Sequence, residues 1–368
     1  VAIPALGGSG MTGGITSPGA GWRQADRGPA TQQTTKKRRK RGGGRGRGEV
    51  AMVDDVEFTS YYGRQIVKTP VWKSPDVPLY LFLGGAAGSS AILGALADVS
   101  GRPALTRTAR LTAGGGSILS VVFLIHDLGR PERFLHMLRV FKVTSPLSVG
   151  TYILAPFSAA AGATAAVELL GWFPRLKRFG GAVAAVFGGP LATYTGVLLA
   201  NTAVPSWHEF HTKLPFVFGG SAMAAGGGIC MALTPLSESE PARKMAILGA
   251  GIELAALRGV ENSDSLLAEP YHEGRPGQFM RAARACTAGG LGLAVLGGRR
   301  RWGAVASGAL LAAGSLLTRF GVFEAGIAST KDPKYVVVPQ RERMAAREAQ
   351  RAAGVPADDP HEAKSVSS

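Results

Sequence analysis

The stretch His126-Asp127-Leu128-Gly129-Arg130-Pro131-Glu132-Arg133-Phe134 decides how the chain is read. It follows an uncharged run at 111–125 and leads into another at 143–167. An apolar run that ends in His-Asp, then Gly-Arg-Pro, reads as a membrane helix meeting its interface. Ionisable groups at that depth are costly to desolvate and so mark a functional site by default. The plainer reading is that Gly129 and Pro131 break the helix while the arginines reach for head groups. The run 111–125 is short of the roughly 20 residues a bilayer requires. To cross, it must draw in Arg107 and Arg110 at one end or His126 and Asp127 at the other. Arginine can snorkel on its long stem and aspartate cannot, which places Asp127 at or just below the interface.

Outward from this stretch, further runs lie at 77–97, within 179–207, and at 214–237, 245–257, 285–298 and 302–320. Barrel strands would alternate apolar and polar residues over about ten positions, and these runs are continuous. The pattern predicts an all-α polytopic membrane protein with eight transmembrane helices. The expected divisions are a disordered basic extension at 1–51, a polar lead-in at 52–76, a first four-helix bundle at 77–212, a second at 213–323 and a polar tail at 324–368. The first 51 residues hold ten Lys/Arg against two Asp/Glu, half of the chain's net +16. Such an arm could meet nucleic acid or anionic lipid, but function is not built on it and no nucleic-acid partner is expected.

Composition agrees with a membrane protein. Charged residues are 18% of the 368, below the usual quarter, and the 52 glycines fall largely inside the apolar runs, where small residues let helices approach closely. The cysteines, Cys230 and Cys286, are too few for an iron–sulfur cluster. The histidines sit at run ends, in loops or in the tail, which disfavours a membrane b-haem. His208-x-x-His211 lacks further ligands, so no metal site is expected.

The opening stretch has a partner, His272-Glu273-Gly274-Arg275-Pro276-Gly277-Gln278-Phe279, with one residue missing before the glycine. Pro78-x-x-x-Phe82-x-Gly84-Gly85 likewise matches Pro215-x-x-Phe218-Gly219-Gly220. Four runs separate the copies, so the two bundles should be parallel repeats.

The residues Lys68-x-Pro70-x-Trp72-x-x-Pro75-Asp76-x-Pro78-Leu79-Tyr80-Leu81-Phe82, His126-Asp127-Leu128-Gly129-Arg130-Pro131, Thr144-Ser145-Pro146-Leu147-Ser148, Tyr194-Thr195-Gly196 and Asp332-Pro333-Lys334-Tyr335 occur in order. Together, over about 61–341, they resemble the polysulfide reductase membrane subunits, also called nitrite reductase D-type anchors. The resemblance implies an integral plasma-membrane subunit with no covalently bound cofactor, which exchanges electrons and protons with membrane menaquinone or ubiquinone. Its implied partners are a ferredoxin-like iron–sulfur subunit and, beyond it, a molybdopterin catalytic subunit. It places the quinone pocket in the first bundle and carries the family's tyrosine to Tyr194 and its polar first-helix position to Asp76. Some members have a histidine one turn on, where this chain has Leu79.

The residue chemistry is compatible. A quinone needs a hydrogen-bond donor at each carbonyl oxygen and a route for its protons. The Tyr194 hydroxyl can donate to one oxygen, His126 can relay protons at neutral pH, and Arg130 can orient Asp127. Asp127 and Glu253 are the proton-path candidates. Each has a structural alternative: Tyr194 as a packing residue, Asp76 as a helix cap, Glu253 as a bridging acid paired with Arg258. An ion-translocating bundle and a purely structural anchor are the rival functions.

Overall fold

A computed structural model describes residues 65–129, 132–139, 141–171 and 173–352. The basic extension, most of the polar lead-in, Arg130 and the end of the tail lie outside the described residues. Among those described there is no strand. The helices are α1 (Asp76–Val99), α2 (Pro103–Leu128), α3 (Glu132–Met137), α4 (Pro146–Leu170), α5 (Pro174–Ala200), α6 (Pro205–Glu209), α7 (Leu214–Leu233), α8 (Glu240–Glu261), α9 (Gly274–Leu296), α10 (Arg301–Lys331) and α11 (Lys334–Ala352). A 3-10 turn, Leu266–Tyr271, precedes α9.

Prolines open α2, α4, α5 and α6, where a missing N–H costs nothing because no carbonyl waits for it. Gly129 closes α2 in the left-handed region (φ 68°), and Gly274, its counterpart in the second copy, opens α9 at φ 58°. A side chain is strained at such angles, which accounts for glycine in both copies.

Six of these helices, α1, α2, α4, α5, α7 and α10, are long and apolar enough to cross a bilayer. The prediction of eight transmembrane helices is thus met in part. Helices α8 and α9 match two of the runs but begin earlier and take in Arg243, Lys244, Arg275, Arg281 and Arg284. Helix α2 recruits both pairs of flanking charges, and α10 extends past Phe320 to Lys331.

Helix α1 packs on α2 and α5, and α4 on α5 and α2. The same pairing recurs later in the chain: α7 packs on α8 and α10, and α9 on α10 and α8. The seam between the two groups is chiefly α1 against α7 and α5 against α7. Gly85 lies by Ala222 and Gly226 by Ser89, so α1 and α7 run in the same direction. These two are central: 67% of the apolar stretch of each is buried, against 22% for α2 and 28% for α4, whose outer faces are left for lipid. Gly88 and Gly188 bring the backbones of α1 and α5 into contact, each so close to the other's carbonyl that a Cβ would collide.

At the end of the helices remote from Asp76, Arg110 does not snorkel. It is 8% exposed and bridges Asp98 (3.3 Å) and Glu168 (3.2 Å), with Arg178 and Lys177 closing the network. Four helices are tied there by charge.

Candidate functional site

Asp76, His126 and Asp127 converge where α1 begins and α2 ends. Because the two helices run antiparallel, the first turn of one meets the last turn of the other. Asp76 is 5% exposed, and its Oδ2 is 2.7 Å from His126 Nδ1. The cap position of α1 is Pro75 and makes no side-chain cap bond, so Asp76 serves as His126's partner rather than as a helix cap. His126 itself stays exposed. Asp127 Oδ1 accepts a hydrogen bond from the Lys73 backbone N–H (2.8 Å), while Lys73 Nζ donates to the His126 carbonyl (3.2 Å). The lead-in is thereby fastened across the end of α2.

Beside this cluster lies a cavity of about 350 Å³, walled by Trp72, Tyr80, Leu124, Asp127, Met137 and Leu198 among others. Its lining is mostly apolar with a few polar groups, the usual character of a small-molecule site, and its size is within the usual range of roughly 300–1,000 Å³. Tyr80 lies four residues after Asp76 and so on the same face of α1. It is 7% exposed, lies within electrostatic reach of Tyr194 and Asp127, and its hydroxyl has no hydrogen-bond partner among the described residues. Tyr194 is half-buried, its ring against Gly150, where any side chain would overlap it. It is not on the cavity wall; Tyr80 holds that position.

Trp72 is held by α6 and, through it, by α10 of the other group of helices. It stacks on Trp207 of α6 (centroids 5.7 Å apart), which packs on Phe323 of α10 (5.9 Å) and donates its Nε1–H to the Val322 carbonyl (2.7 Å). Thr69 and Thr330 hydroxyls meet at 2.9 Å on the same side. These links pin one wall of the cavity to α6 and α10.

Glu253 lies elsewhere, in the interior formed by α7, α8, α9 and α10, and it does not pair with Arg258. Five residues turn the helix by about 140°, which leaves Arg258 exposed on the opposite face. Glu253 instead accepts from Thr318 Oγ1 (2.7 Å), with Arg319 as its nearby charge. Sequence reading missed Tyr80 and Arg319. Tyr80 was signalled by its i+4 spacing from Asp76, and Arg319 by being a charge before the end of an apolar run. Arg130, the remaining site candidate, lies outside the described residues. No cluster of three or more metal-ligating side chains occurs among the described residues.

Among curated proteins none matches the chain. Residues 65–247 match the family described as "Polysulphide reductase, NrfD". The match takes in α1 to α7 and the start of α8, and so ends before the 341 reached by the resemblance in sequence. It contains Asp76, Tyr80, His126, Asp127 and Tyr194, and the cavity whose wall Tyr80 and Asp127 share. The chain is an integral membrane protein and belongs to the polysulphide reductase NrfD family, the membrane subunits of quinone-linked oxidoreductases.

Proposed function

We propose that the chain is the quinone-reactive anchor of an iron–sulfur/molybdopterin oxidoreductase complex in the plasma membrane. All eight long helices cross the bilayer as two parallel repeats, 77–212 and 213–323, with the quinone site in the first. Supporting this reading is the cavity at the Asp76 end, with Tyr80 and Asp127 on its wall and the Asp76–His126 pair beside it.

The ring of menaquinone or ubiquinone enters the cavity from the lipid side and lies against Trp72 and Leu198. The Tyr80 hydroxyl donates to one carbonyl oxygen, and Tyr194 stands behind as a second phenol. Each quinol oxidised releases two electrons and two protons; each quinone reduced takes up the same. Asp127 exchanges a proton with the ring oxygen, and the Asp76–His126 pair passes it to water, since His126 is exposed. Electrons cross to or from a ferredoxin-like subunit docked at the same end, and from there to or from a molybdopterin subunit.

The test is titration of the purified chain in nanodiscs with a menaquinone analogue, following tryptophan quenching. Saturable binding is expected, weakened roughly tenfold by loss of one hydrogen bond in Tyr80→Phe. Absence of saturable binding, or binding indifferent to Tyr80→Phe, Tyr194→Phe and Asp127→Asn alike, sinks the assignment in favour of a purely structural anchor.

A further inference from the structure

Arg319 is 0% exposed in the interior of the second group of helices. Its Nη2 donates to the Phe218 carbonyl of α7 (3.0 Å), and its guanidinium lies 3.9 Å from the centre of the Phe218 ring. Its Nε and Nη1 have no hydrogen-bond partner among the described residues. Glu253, also 0% exposed, faces it from α8. Glu253 Oε1 accepts from Thr318 (2.7 Å), and Oε2 is met by a long 3.5 Å approach from Thr287. Ser221 of α7 is in reach of the carboxylate and shares a 2.8 Å hydrogen bond with Ser315 of α10. The two charged groups act on each other without a direct ion pair.

A guanidinium buried with idle N–H groups beside a carboxylate with idle lone pairs is an expensive arrangement if the space between is dry. Water relieves it, because a buried water needs two to four polar partners. Arg319 Nε and Nη1, Glu253 Oε2 and Ser221 Oγ supply them. We propose that water occupies the space between Glu253 and Arg319 and that Glu253 exchanges protons with it. This makes a proton-carrying site in the second group of helices, separate from the quinone cavity. In the exchange, hydronium transfers a proton to Oε2, leaving neutral water and a neutral carboxyl group; the reverse step restores the carboxylate.

The groups facing Glu253 are few. Helix α7 presents Ser221, α9 presents Thr287, and α10 presents Thr318 and Arg319. Helix α1 meets the Arg319 side chain at Gly85. Among the described residues Arg319 is the one charged group acting on this carboxylate, so its occupancy by a proton is set against a single fixed neighbour. The family match, which ends at residue 247, reaches neither member of the pair.

Infrared spectroscopy of the full chain in nanodiscs, titrated with pH in H2O and in D2O, tests the proposal without any quinone present. The expected result is a protonated-carboxyl C=O band that titrates and shifts on deuteration. It should be absent from Glu253→Gln, and moved but retained in Glu253→Asp and Thr318→Ala. Three results overturn it: a band that ignores D2O, which means a dry site; no such band at any pH at which the chain stays folded; or a band that survives unchanged in Glu253→Gln. Should Glu253→Gln fail to fold, the band position in Glu253→Asp and Thr318→Ala decides.

Discussion

Asp76 and Tyr80 share one face of α1, yet only the first was legible as a site residue. Asp76 was pointed to by the family resemblance, whereas His126 and Asp127 announce themselves through the desolvation cost of charge at the end of an apolar run. A tyrosine inside a continuous apolar run carries no such signal, since buried tyrosines are ordinary packing residues until a cavity is found at their hydroxyl. The wall position of Tyr80 gives an order of effects. Tyr80→Phe should weaken binding of a menaquinone analogue about tenfold, and Tyr194→Phe by less, with thermal unfolding unchanged in both. Binding constants in the reverse order would return the head-group contact to Tyr194. Arg319 was overlooked for the opposite reason: a charge one residue from the end of a run passes for an interfacial arginine, whereas α10 continues to Lys331 and buries it.

Helix pairs are held by contacts whose cost of disruption can be ranked. A Cβ at Gly88 would sit 2.5 Å from the Gly188 carbonyl oxygen, whereas one at Gly115 meets nothing within 4 Å. Gly88→Ala should therefore lower the unfolding free energy by about 1–3 kcal/mol, as overpacking does. Gly115→Ala should be neutral or stabilise by up to about 1 kcal/mol through helix propensity. Denaturant titration in mixed micelles reads both, and equal losses would mean that α1 and α5 do not touch there. Outside the spans, Lys334 at the start of α11 donates to Glu269 (2.8 Å), and this hydrogen bond, chiefly, raises the Lys334 pKa. Tyr335 next to it is pushed up to about 12, first by burial. For a cation whose pKa rises on folding, the stabilisation is fully present below the unfolded value, about 10.4, and fades as pH passes the folded one. Amide exchange in the first turns of α11 should accordingly be slow at neutral pH, faster in Glu269→Gln, and indifferent to that substitution well above the folded pKa. A mutant effect that persisted at high pH would show that the ion pair is not what holds the helix.

For the whole molecule, the number of crossings is the open quantity with the sharpest test. The loop before α8 carries Glu238, which accepts from the Ala104 and Leu105 N–H groups at the start of α2. The loop after α8 leads into Tyr271, whose hydroxyl donates to the Ser206 carbonyl at the Asp76 end. At 22 residues, α8 is about 33 Å long, enough for a hydrocarbon core of about 30 Å. Single cysteines at Ser237 and Asp264, in a chain with Cys230 and Cys286 replaced, should react with an impermeant thiol reagent from opposite sides of the membrane. Reaction from one side would leave α8 and α9 at the surface. The six most apolar helices could be read from sequence because their runs are nearly uncharged, and α8 and α9 were recognised only as short runs because arginines dilute their ends. What sequence could not give was the third dimension: which end of which run faces Asp76, and that Trp72 is gripped by Trp207.

The Trp72–Trp207–Phe323 ladder means that the pocket's outline is not the property of the half that contains it. Trimming Phe323, on a helix absent from the cavity wall, lets Trp207 tilt and Trp72 follow. Spontaneous resistance to compounds that compete for the ring position should thus turn up in α10 as well as around Tyr80.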